Sequence, residues 1–187
     1  MLDWNELEKT CLSCKKCDLS KTRKNVVIGK GNKESKLMFI GEGPGEQEDI
    51  QGIPFVGKAG KLLNMLLESL YFKDNDYYIA NIVKCRPPGN KDPKEEEANM
   101  CLPYLRNQVY LIKPKIIVCL GRVSAQYIID PNIRITKIRG KWIERKGYLI
   151  MPTFHPSYLL RFESQKYLAF RDFKKVKEKL DLINFKK

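Results

Sequence analysis

The feature that most constrains the fold of this 187-residue chain is the alternation of short apolar runs with longer amphipathic stretches. Lys36–Ile40 (KLMFI) and Lys115–Leu120 (KIIVCL) have the length and composition of buried strands, whereas Lys58–Leu70 carries leucines at helical spacing. Strands that alternate with helices build a mainly parallel sheet with helices on both faces. We therefore expect residues 1–187 to form a single α/β domain, a three-layer sandwich in which helices flank a central, mainly parallel four-stranded sheet.

The remaining segments continue this alternation, and the sheet that they imply has one functional edge. In open parallel sheets, ligands bind beyond the carboxyl ends of the strands. The loops that follow Ile40, Val83 and Met151 fall at that edge. The other predicted elements are a strand at Tyr77–Val83, a helix at Pro93–Ile112 with a kink at Pro103, a helix from Gly121 to Ile129, strands at Ile138–Glu144 and Tyr148–Met151, and a basic amphipathic helix at Gln165–Leu182.

Cysteine usage is the second constraint on the chain. Five of the six cysteines are candidate metal ligands, three in a CxxCxxC run and two in the middle of the chain: Cys11, Cys14, Cys17, Cys85 and Cys101. Cys119 lies inside the KIIVCL run and is interpreted as a small buried core residue. Thiolates with no partner histidine suit an iron–sulfur cluster or a tetrahedral zinc ion, and their spacing alone does not choose between the two.

The net charge predicts a polyanionic partner. The chain has 35 Lys and Arg residues against 22 Asp and Glu residues, which gives a formal charge of +13. Such a surface attracts nucleic acid, although a composition rich in Lys and Glu is also typical of proteins from hot environments. No run approaches the ~18 apolar residues of a membrane span, and residues 1–10 lack the pattern of a signal peptide. We expect a cytoplasmic protein, in which cysteines serve as metal ligands more often than as disulfides.

Two loops at the predicted edge of the sheet carry chemistry. Residues 41–49 (GEGPGEQED) are rich in glycine, but they lack the lysine of a phosphate-binding loop and are acidic. An acidic group at a strand end is suited to orienting a water or stabilising positive charge. The only histidine, His155, opens HPSYLLR, a loop stiffened by proline. Its apolar side chains beside Arg161 are suited to entering a base stack while the cation holds phosphate.

Four motifs, GEGPGEQED, IPFVGKAG, NIVKCRPP and HPSYLLR, together resemble the family 4 uracil-DNA glycosylases, the iron–sulfur branch of the uracil-DNA glycosylase superfamily. The similarity extends in order from about Cys14 to the HPSYLLR loop. It implies a monofunctional glycosylase of base excision repair. Such an enzyme flips uracil out of single- or double-stranded DNA and hydrolyses the N-glycosidic bond without a Schiff base, which leaves an abasic site.

The resemblance also implies one 4Fe-4S cluster with four cysteine ligands. The order of the motifs identifies these as Cys14, Cys17, Cys85 and Cys101. Cys11 departs from the family pattern. Counting back from residues 26–29 favours Cys14 with Cys17, but Cys11 with Cys14 stays open as the alternative N-terminal pair.

The expected uracil site follows from the same resemblance and from the chemistry of the base. It consists of Gly41, Phe55, Asn81 and His155. Phe55 is expected to stack on the base, and the Asn81 amide can accept from uracil N3–H and donate to O4. Cytosine offers the opposite pattern and would leave both groups of the amide unpaired.

The expected catalytic residues are Glu42, His155 and Glu48. Neutral His155 would donate to the developing O2 anion, while Glu42 would orient water and support the oxocarbenium-like sugar. Glu48 is a second candidate, either for water or for blocking the methyl group of thymine. The residues expected to contact DNA are Ser157, Leu159 and Arg161. Leu159 would fill the gap left by the flipped base.

Three alternatives remain at this point. A family 5 type glycosylase of broader base specificity usually lacks an acidic residue at the position of Glu42. A non-enzymatic, metal-bearing nucleic-acid-binding module would not need Glu42, Asn81 and His155 near three strand ends, and an electron-transfer protein would need no base pocket. We expect a monomer. Lys179–Phe185 (KLDLINF) is weakly similar to a sliding-clamp-binding peptide, but it lacks the glutamine and the second aromatic, so the end of an amphipathic helix is the favoured interpretation.

Overall fold

A six-stranded sheet forms the centre of the computed structural model, which describes residues 1–185. The strands are β1 (Lys30–Gly31), β2 (Leu37–Gly41), β3 (Tyr77–Asn81), β4 (Ile116–Leu120), β5 (Ile143–Arg145) and β6 (Tyr148–Thr153). Their order is β1-β3-β2-β4-β6-β5, with the four inner strands parallel and both outer strands antiparallel. The four parallel strands are those expected from the sequence, but the predicted total of four is wrong. The two additional strands are short edge strands whose residues lack the apolar runs of the inner ones.

Helices cover both faces of this sheet. They are α1 (Trp4–Leu12), α2 (Leu19–Thr22), α3 (Glu46–Gln51), α4 (Lys58–Ser69), α5 (Glu95–Ile112), α6 (Arg122–Ile128), α7 (Ile135–Ile138), α8 (Pro156–Arg161) and α9 (Lys166–Phe185). Short 3-10 turns occur at Asp74–Asp76, Pro88–Asn90 and Glu163–Gln165. Among the residues that the structure describes, no helix is long and apolar enough to cross a membrane.

The inner strands are apolar along their whole length because both of their faces are buried. In β2, Leu37 and Phe39 share a hydrophobic cluster with residues of α4 and α9, and the Phe39 ring stacks on Phe173 at 5.7 Å. Met38 and Ile40 belong to the opposite cluster, which contains residues of α1 and α5. The continuous apolar runs are therefore those of a sheet buried between two helical layers, as the sequence predicted.

Hydrogen bonds fix the N-terminal segment to α5. The Leu2 N–H donates to Asn107 Oδ1 at 2.8 Å, and Asn107 Nδ2 donates back to the Leu2 carbonyl at 2.9 Å. The Trp4 ring lies 5.8 Å from the Tyr78 ring of β3. These contacts hold α1 against α5, and the CxxCxxC run begins in the last turn of α1.

Three element boundaries differ from the sequence prediction. α5 begins at Glu95 rather than Pro93, because the Lys94 N–H is capped by the Glu97 side chain, and it continues through Pro103. The predicted strand at 138–144 is reduced to β5, because residues 135–138 form a helical turn. The last helix extends to residue 185, so the segment 179–185 is the end of α9, as favoured above.

Candidate active site and cysteine centre

A cavity of about 440 Å³ opens at the carboxyl edge of the parallel strands. Its walls come from the loop after β2, the end of β3, the turn before α5 and the loop after β6. Six of the residues predicted from the sequence line it: Glu42, Glu48, Phe55, Asn81, His155 and Ser157. Parallel strands bring these distant motifs together, because their carboxyl ends lie at the same edge.

Asn81 ends β3 with its side chain almost fully buried, at 2% exposure. Its Oδ1 has no hydrogen-bond partner within residues 1–185. A buried acceptor without a donor is costly, and such groups commonly mark a ligand site. Gly41 lies against this amide and against the Phe55 ring. A Cβ at position 41 would lie 2.4 Å from Asn81 Oδ1 and 2.8 Å from Phe55 Cζ, so any larger residue there would clash with both groups.

Phe55 forms the aromatic wall of the cavity. Its backbone adopts a left-handed φ of 55°, which is uncommon for a non-glycine residue. The first turn of α4 packs directly on this backbone, because a Cβ at Gly60 would lie only 2.0 Å from the Phe55 carbonyl oxygen. The Phe55 ring centroid lies 5.9 Å from that of His155. The ring is thus held where a planar base would meet both aromatic groups.

His155 caps the N-terminus of α8 and presents one defined ring nitrogen to the cavity. Its Nδ1 accepts the Ser157 backbone N–H at 3.1 Å and lies 2.8 Å from Ser157 Oγ. Because Nδ1 is the acceptor, the proton of the neutral ring belongs on Nε2. Burial lowers the pKa of His155 to about 4, an effect that Glu48 opposes and Arg161 reinforces. The ring is therefore a neutral N–H donor at neutral pH.

Glu42 follows β2 and lies beside a second carboxylate. Burial raises the pKa of Glu42 to about 7; the neighbouring Asp92 adds to this rise, and Arg122 opposes it. Asp92 in turn forms an ion pair with Arg122, the first residue of α6. The sequence analysis did not identify Asp92, because a single acidic residue in the polar GNKDP segment looks like an ordinary solvated turn.

Glu48 has a structural role that its sequence position did not reveal. Its Oε1 accepts the backbone N–H groups of Val56 at 2.9 Å and Gly57 at 2.8 Å. These bonds tie α3 to the loop that carries Phe55 and precedes α4. Glu48 lines the cavity, but one of its two oxygens is occupied by this loop.

The structure favours Leu160 over the predicted Leu159 as a residue that could enter the DNA base stack. Leu159 is completely buried in the core on the α4 side of the sheet, whereas the side chain of Leu160 is 42% exposed. Successive residues of a helix point about 100° apart, so the short helix α8 turns Pro156 and Leu159 inward and Leu160 outward. Ser157 and Arg161 are exposed, as a DNA contact requires.

A second, smaller cavity contains the five candidate cysteine ligands. Its lining includes Cys11, Cys14, Cys17, Cys85 and Cys101. Within residues 1–185, no three Cys, His, Asp or Glu side chains could hold a single metal ion. A zinc ion would require its sulfur ligands to converge at about 2.3 Å from one point. The lining of this cavity contains five thiols and no histidine, a donor set that suits an iron–sulfur cluster or a zinc ion. Cys119 lies elsewhere and is fully buried in the core, as expected.

Hydrogen bonds reach the sulfurs of two of these cysteines. Arg23 Nη1 donates to Cys85 Sγ at 3.2 Å, and the Lys84 N–H donates to Cys101 Sγ at 3.2 Å. Burial raises the pKa of Cys11 to about 12 and also raises the pKa of Cys17. Hydrogen bonds to sulfur are typical of cluster ligands.

The same cavity borders a buried lysine. Lys84 is 1% exposed, and its Nζ donates to the Asn81 carbonyl at 2.9 Å and to Gln108 Oε1 at 2.6 Å. Burial lowers the pKa of Lys84 to about 8, while the thiols of Cys101, Cys11 and Cys85 act in the opposite direction. A buried ammonium group needs an anionic partner, and thiolates at this cavity would supply one. The donor set therefore fits a cluster held by thiolates.

The chain is similar in sequence to known proteins of one superfamily. The family model described as the uracil DNA glycosylase superfamily matches residues 28–181. A type-4 uracil-DNA glycosylase of Saccharolobus solfataricus is 48% identical over 176 residues, which cover 89% of this chain and 82% of the relative. A type-4 uracil-DNA glycosylase of Thermotoga maritima is 45% identical over 168 residues, which cover 88% of each chain. A type-5 uracil-DNA glycosylase of Pyrobaculum aerophilum is 30% identical over 84 residues, which cover 44% of this chain and 37% of the relative. The chain therefore belongs to the uracil-DNA glycosylase superfamily and, within it, to the type-4 uracil-DNA glycosylases.

Proposed function

We propose that the protein is a monofunctional DNA glycosylase that flips uracil out of DNA and hydrolyses its N-glycosidic bond in base excision repair. The observation that carries this proposal is the buried Asn81 Oδ1, which lacks a donor within residues 1–185. Uracil supplies the missing donor with its N3–H, whereas cytosine has an acceptor at the same position. The asparagine amide can at the same time donate to uracil O4.

The flanking residues complete a site for a flat base. Gly41 leaves the space between Asn81 and the Phe55 ring, which would stack on the base. Glu48 holds the loop of Phe55 through its two backbone hydrogen bonds. We therefore assign Glu48 to shaping the wall of the site and keep Glu42 as the group that handles water.

His155 and Glu42 are suited to the two charges that develop during cleavage. The bond to the base breaks with negative charge on the uracil and positive charge on the sugar. His155 Nε2–H donates to the developing O2 anion, because its Nδ1 is occupied by Ser157. Glu42, in its ionised form, supports the positive sugar and orients the attacking water.

Exposed groups around the cavity would hold the DNA. Leu160, rather than Leu159, has the exposure needed to enter the base stack, and Arg161 and Ser157 are exposed next to it. Lys58 and Lys91 line the cavity and suit the adjacent phosphates. We propose that both single- and double-stranded DNA are substrates, since flipping from a single strand costs less.

For the cofactor, we propose one 4Fe-4S cluster held by Cys14, Cys17, Cys85 and Cys101. The hydrogen bonds to Cys85 Sγ and Cys101 Sγ support these two ligands. Cys14 and Cys17 follow from the resemblance to the family and from their place in the lining of the cysteine cavity, and the buried Cys11 is assigned as a neighbouring thiol that is not a ligand. When bound, the cluster supplies a cross-link between the N-terminal run and the start of α5. We further propose a monomer that works in the cytoplasm, where reducing conditions keep cysteines available as metal ligands.

The function is tested with uracil-containing single- and double-stranded oligonucleotides. We expect abasic sites with an intact backbone from both. Asn81→Ala should slow uracil excision, whereas Asn81→Asp should weaken discrimination against cytosine because its carboxyl group can accept from the exocyclic amine. Binding of DNA without any excision would favour a non-enzymatic module. Unchanged excision of uracil in both variants would remove Asn81 from the base site.

The cofactor is tested by metal analysis of protein purified without oxygen. We expect brown protein, and loss of iron and sulfide in each of Cys14→Ala, Cys17→Ala, Cys85→Ala and Cys101→Ala. Cys119→Ala and Cys11→Ala should both retain the metal. Colourless protein with stoichiometric zinc would contradict the cluster, and retention in Cys17→Ala together with loss in Cys11→Ala would identify the alternative pair.

A further inference from the structure

Lys84 connects the cysteine cavity with the uracil site. Its backbone N–H donates to Cys101 Sγ at 3.2 Å, and its side chain extends toward β3. There Nζ donates to the Asn81 carbonyl at 2.9 Å and to Gln108 Oε1 at 2.6 Å. Gln108 is itself anchored, because its Nε2 donates to the Ile28 carbonyl at 3.0 Å. One buried residue thus contacts a proposed cluster ligand through its backbone N–H and the Asn81 carbonyl through its side chain.

The charge on Lys84 has no local carboxylate to balance it. Both hydrogen-bond acceptors of Nζ within residues 1–185 are neutral oxygens, and the side chain is almost fully buried. Lys84 lines the cysteine cavity together with Cys11, Cys85 and Cys101, and its backbone N–H contacts Cys101 Sγ. An unpaired buried ammonium group is strongly unfavourable, so the thiolates of a bound cluster are its natural counter-charge.

We propose that Lys84 is a positioning residue that couples the cluster to uracil recognition, because its ammonium group balances the thiolate charge while its hydrogen bond fixes the carbonyl of Asn81. This inference rests on the proposed function and cofactor. The bound cluster keeps the ammonium group in place, and the ammonium group keeps the end of β3 in the position that presents the Asn81 amide. The cluster thereby sharpens base recognition without touching the base.

The test is Lys84→Met, which keeps most of the unbranched apolar stem and removes the charged end. In cluster-loaded protein, the reduction potential should shift to a more negative value, because the loss of a nearby positive charge disfavours adding an electron. Inhibition by free uracil should weaken several-fold, because Asn81 loses its anchor. Lys16→Met is the matched control: Lys16 lines the same cavity but is exposed, so water screens its charge and the shift in potential should be smaller.

Measurements on the wild-type protein distinguish a failure of the proposed function and cofactor from a failure of the proposed role of Lys84. Wild-type protein without iron or without uracil excision would contradict the proposed function and cofactor. If the wild type is brown and active, but Lys84→Met changes neither the reduction potential nor the inhibition by free uracil, then only the proposed role of Lys84 is overturned. If Lys84→Met does not fold, Gln108→Glu serves instead: it places a carboxylate beside Nζ and should shift the potential in the same negative direction. An unchanged potential in that variant would equally overturn the link.

Discussion

Burial shifts the pKa values of two residues in the cavity in opposite directions, so the two residues change charge in different pH ranges. Burial lowers the pKa of His155 to about 4, so its ring stays neutral far below pH 7. Burial and the carboxylate of Asp92 raise the pKa of Glu42 to about 7, so this carboxyl group changes charge within the physiological range. The protonation state of Glu42, rather than that of His155, should therefore limit the reaction near neutral pH.

The first prediction follows from the sign of the Glu42 shift. The role assigned to Glu42 needs the ionised form, which is populated above its pKa, so the single-turnover rate on uracil-containing DNA should rise through about pH 7 and then level off. Asp92→Asn removes a neighbouring negative charge and should move the midpoint to lower pH. Glu42→Gln should be slower by about 10²-fold or more and should lose this limb of the profile.

Arg122→Gln is the matched control for this profile. Arg122 opposes the rise in the Glu42 pKa, so its removal should move the midpoint to higher pH, opposite to Asp92→Asn. Identical midpoints in both variants and the wild type would show that another group governs the rate.

Some residues of the candidate site could be identified from the sequence, and others could not. Asn81, His155 and Glu42 could be found because each follows an apolar run that predicts a strand, and parallel strands share an edge. Asp92 could not be identified from the sequence, since its distance to Glu42 depends on how the loop between β3 and α5 folds back. The backbone bonds of Glu48 were equally hidden, because nothing in a local pattern shows which amide groups of a distant loop lack partners.

At the scale of elements, α8 has one face for the core and another for DNA. It packs against α4 through its buried residues, and His155 caps its N-terminus. The sequence showed a proline-stiffened loop with two adjacent leucines. A helix of six residues is too short for its pattern to reveal which leucine faces inward, so the sequence alone could not show that Leu159 is the buried one. In the structure, packing against α4 places Leu159 in the core and leaves Leu160 exposed.

The second prediction separates the two leucines. Leu160→Ala should slow excision from a stable duplex more than from a single strand, because flipping is harder where the base is paired and stacked. Leu159→Ala should lower the free energy of unfolding by about 2–5 kcal/mol, because it leaves a cavity in the core. Single-turnover rates on both substrates and denaturant unfolding curves distinguish the variants.

His155→Ala is the reference for this comparison. It should slow both substrates alike, by about 10²-fold or more, because the charge on the leaving base develops only after flipping. Equal slowing of both substrates by Leu160→Ala would assign this residue to the pocket and leave the wedge to another exposed group of α8.

At the scale of the whole molecule, a net charge of +13 is combined with one concave site at one edge of the sheet. The order of strands and helices in the sequence was sufficient to predict the three layers and the functional edge. It was not sufficient for the number of strands: β1 has two residues and β5 has three, and strands this short are formed by pairing with a neighbour rather than by their own composition.

The third prediction concerns the dependence of DNA binding on salt. Lys58 and Lys91 are exposed and line the cavity, so each of Lys58→Gln and Lys91→Gln should reduce the slope of log K against log salt concentration by about 1. Lys115→Gln is the control, because Lys115 is exposed at the opposite, amino edge of the parallel strands, just before β4. Equal slopes for all three variants would show that the cavity lysines do not contact phosphate.

The positions of the cysteines along the chain bear on the order of events during synthesis. A ribosome delivers Cys14, Cys17, Cys85 and Cys101 before it makes β4, β6 or His155. Chains tend to fold from the N-terminal side as they emerge, so the complete set of proposed ligands is available while the catalytic histidine does not yet exist. If the proposed cluster and the proposed role of His155 hold, we expect insertion of the cluster to be separable from the onset of catalysis during synthesis. A nascent chain stalled after α5 should already incorporate iron.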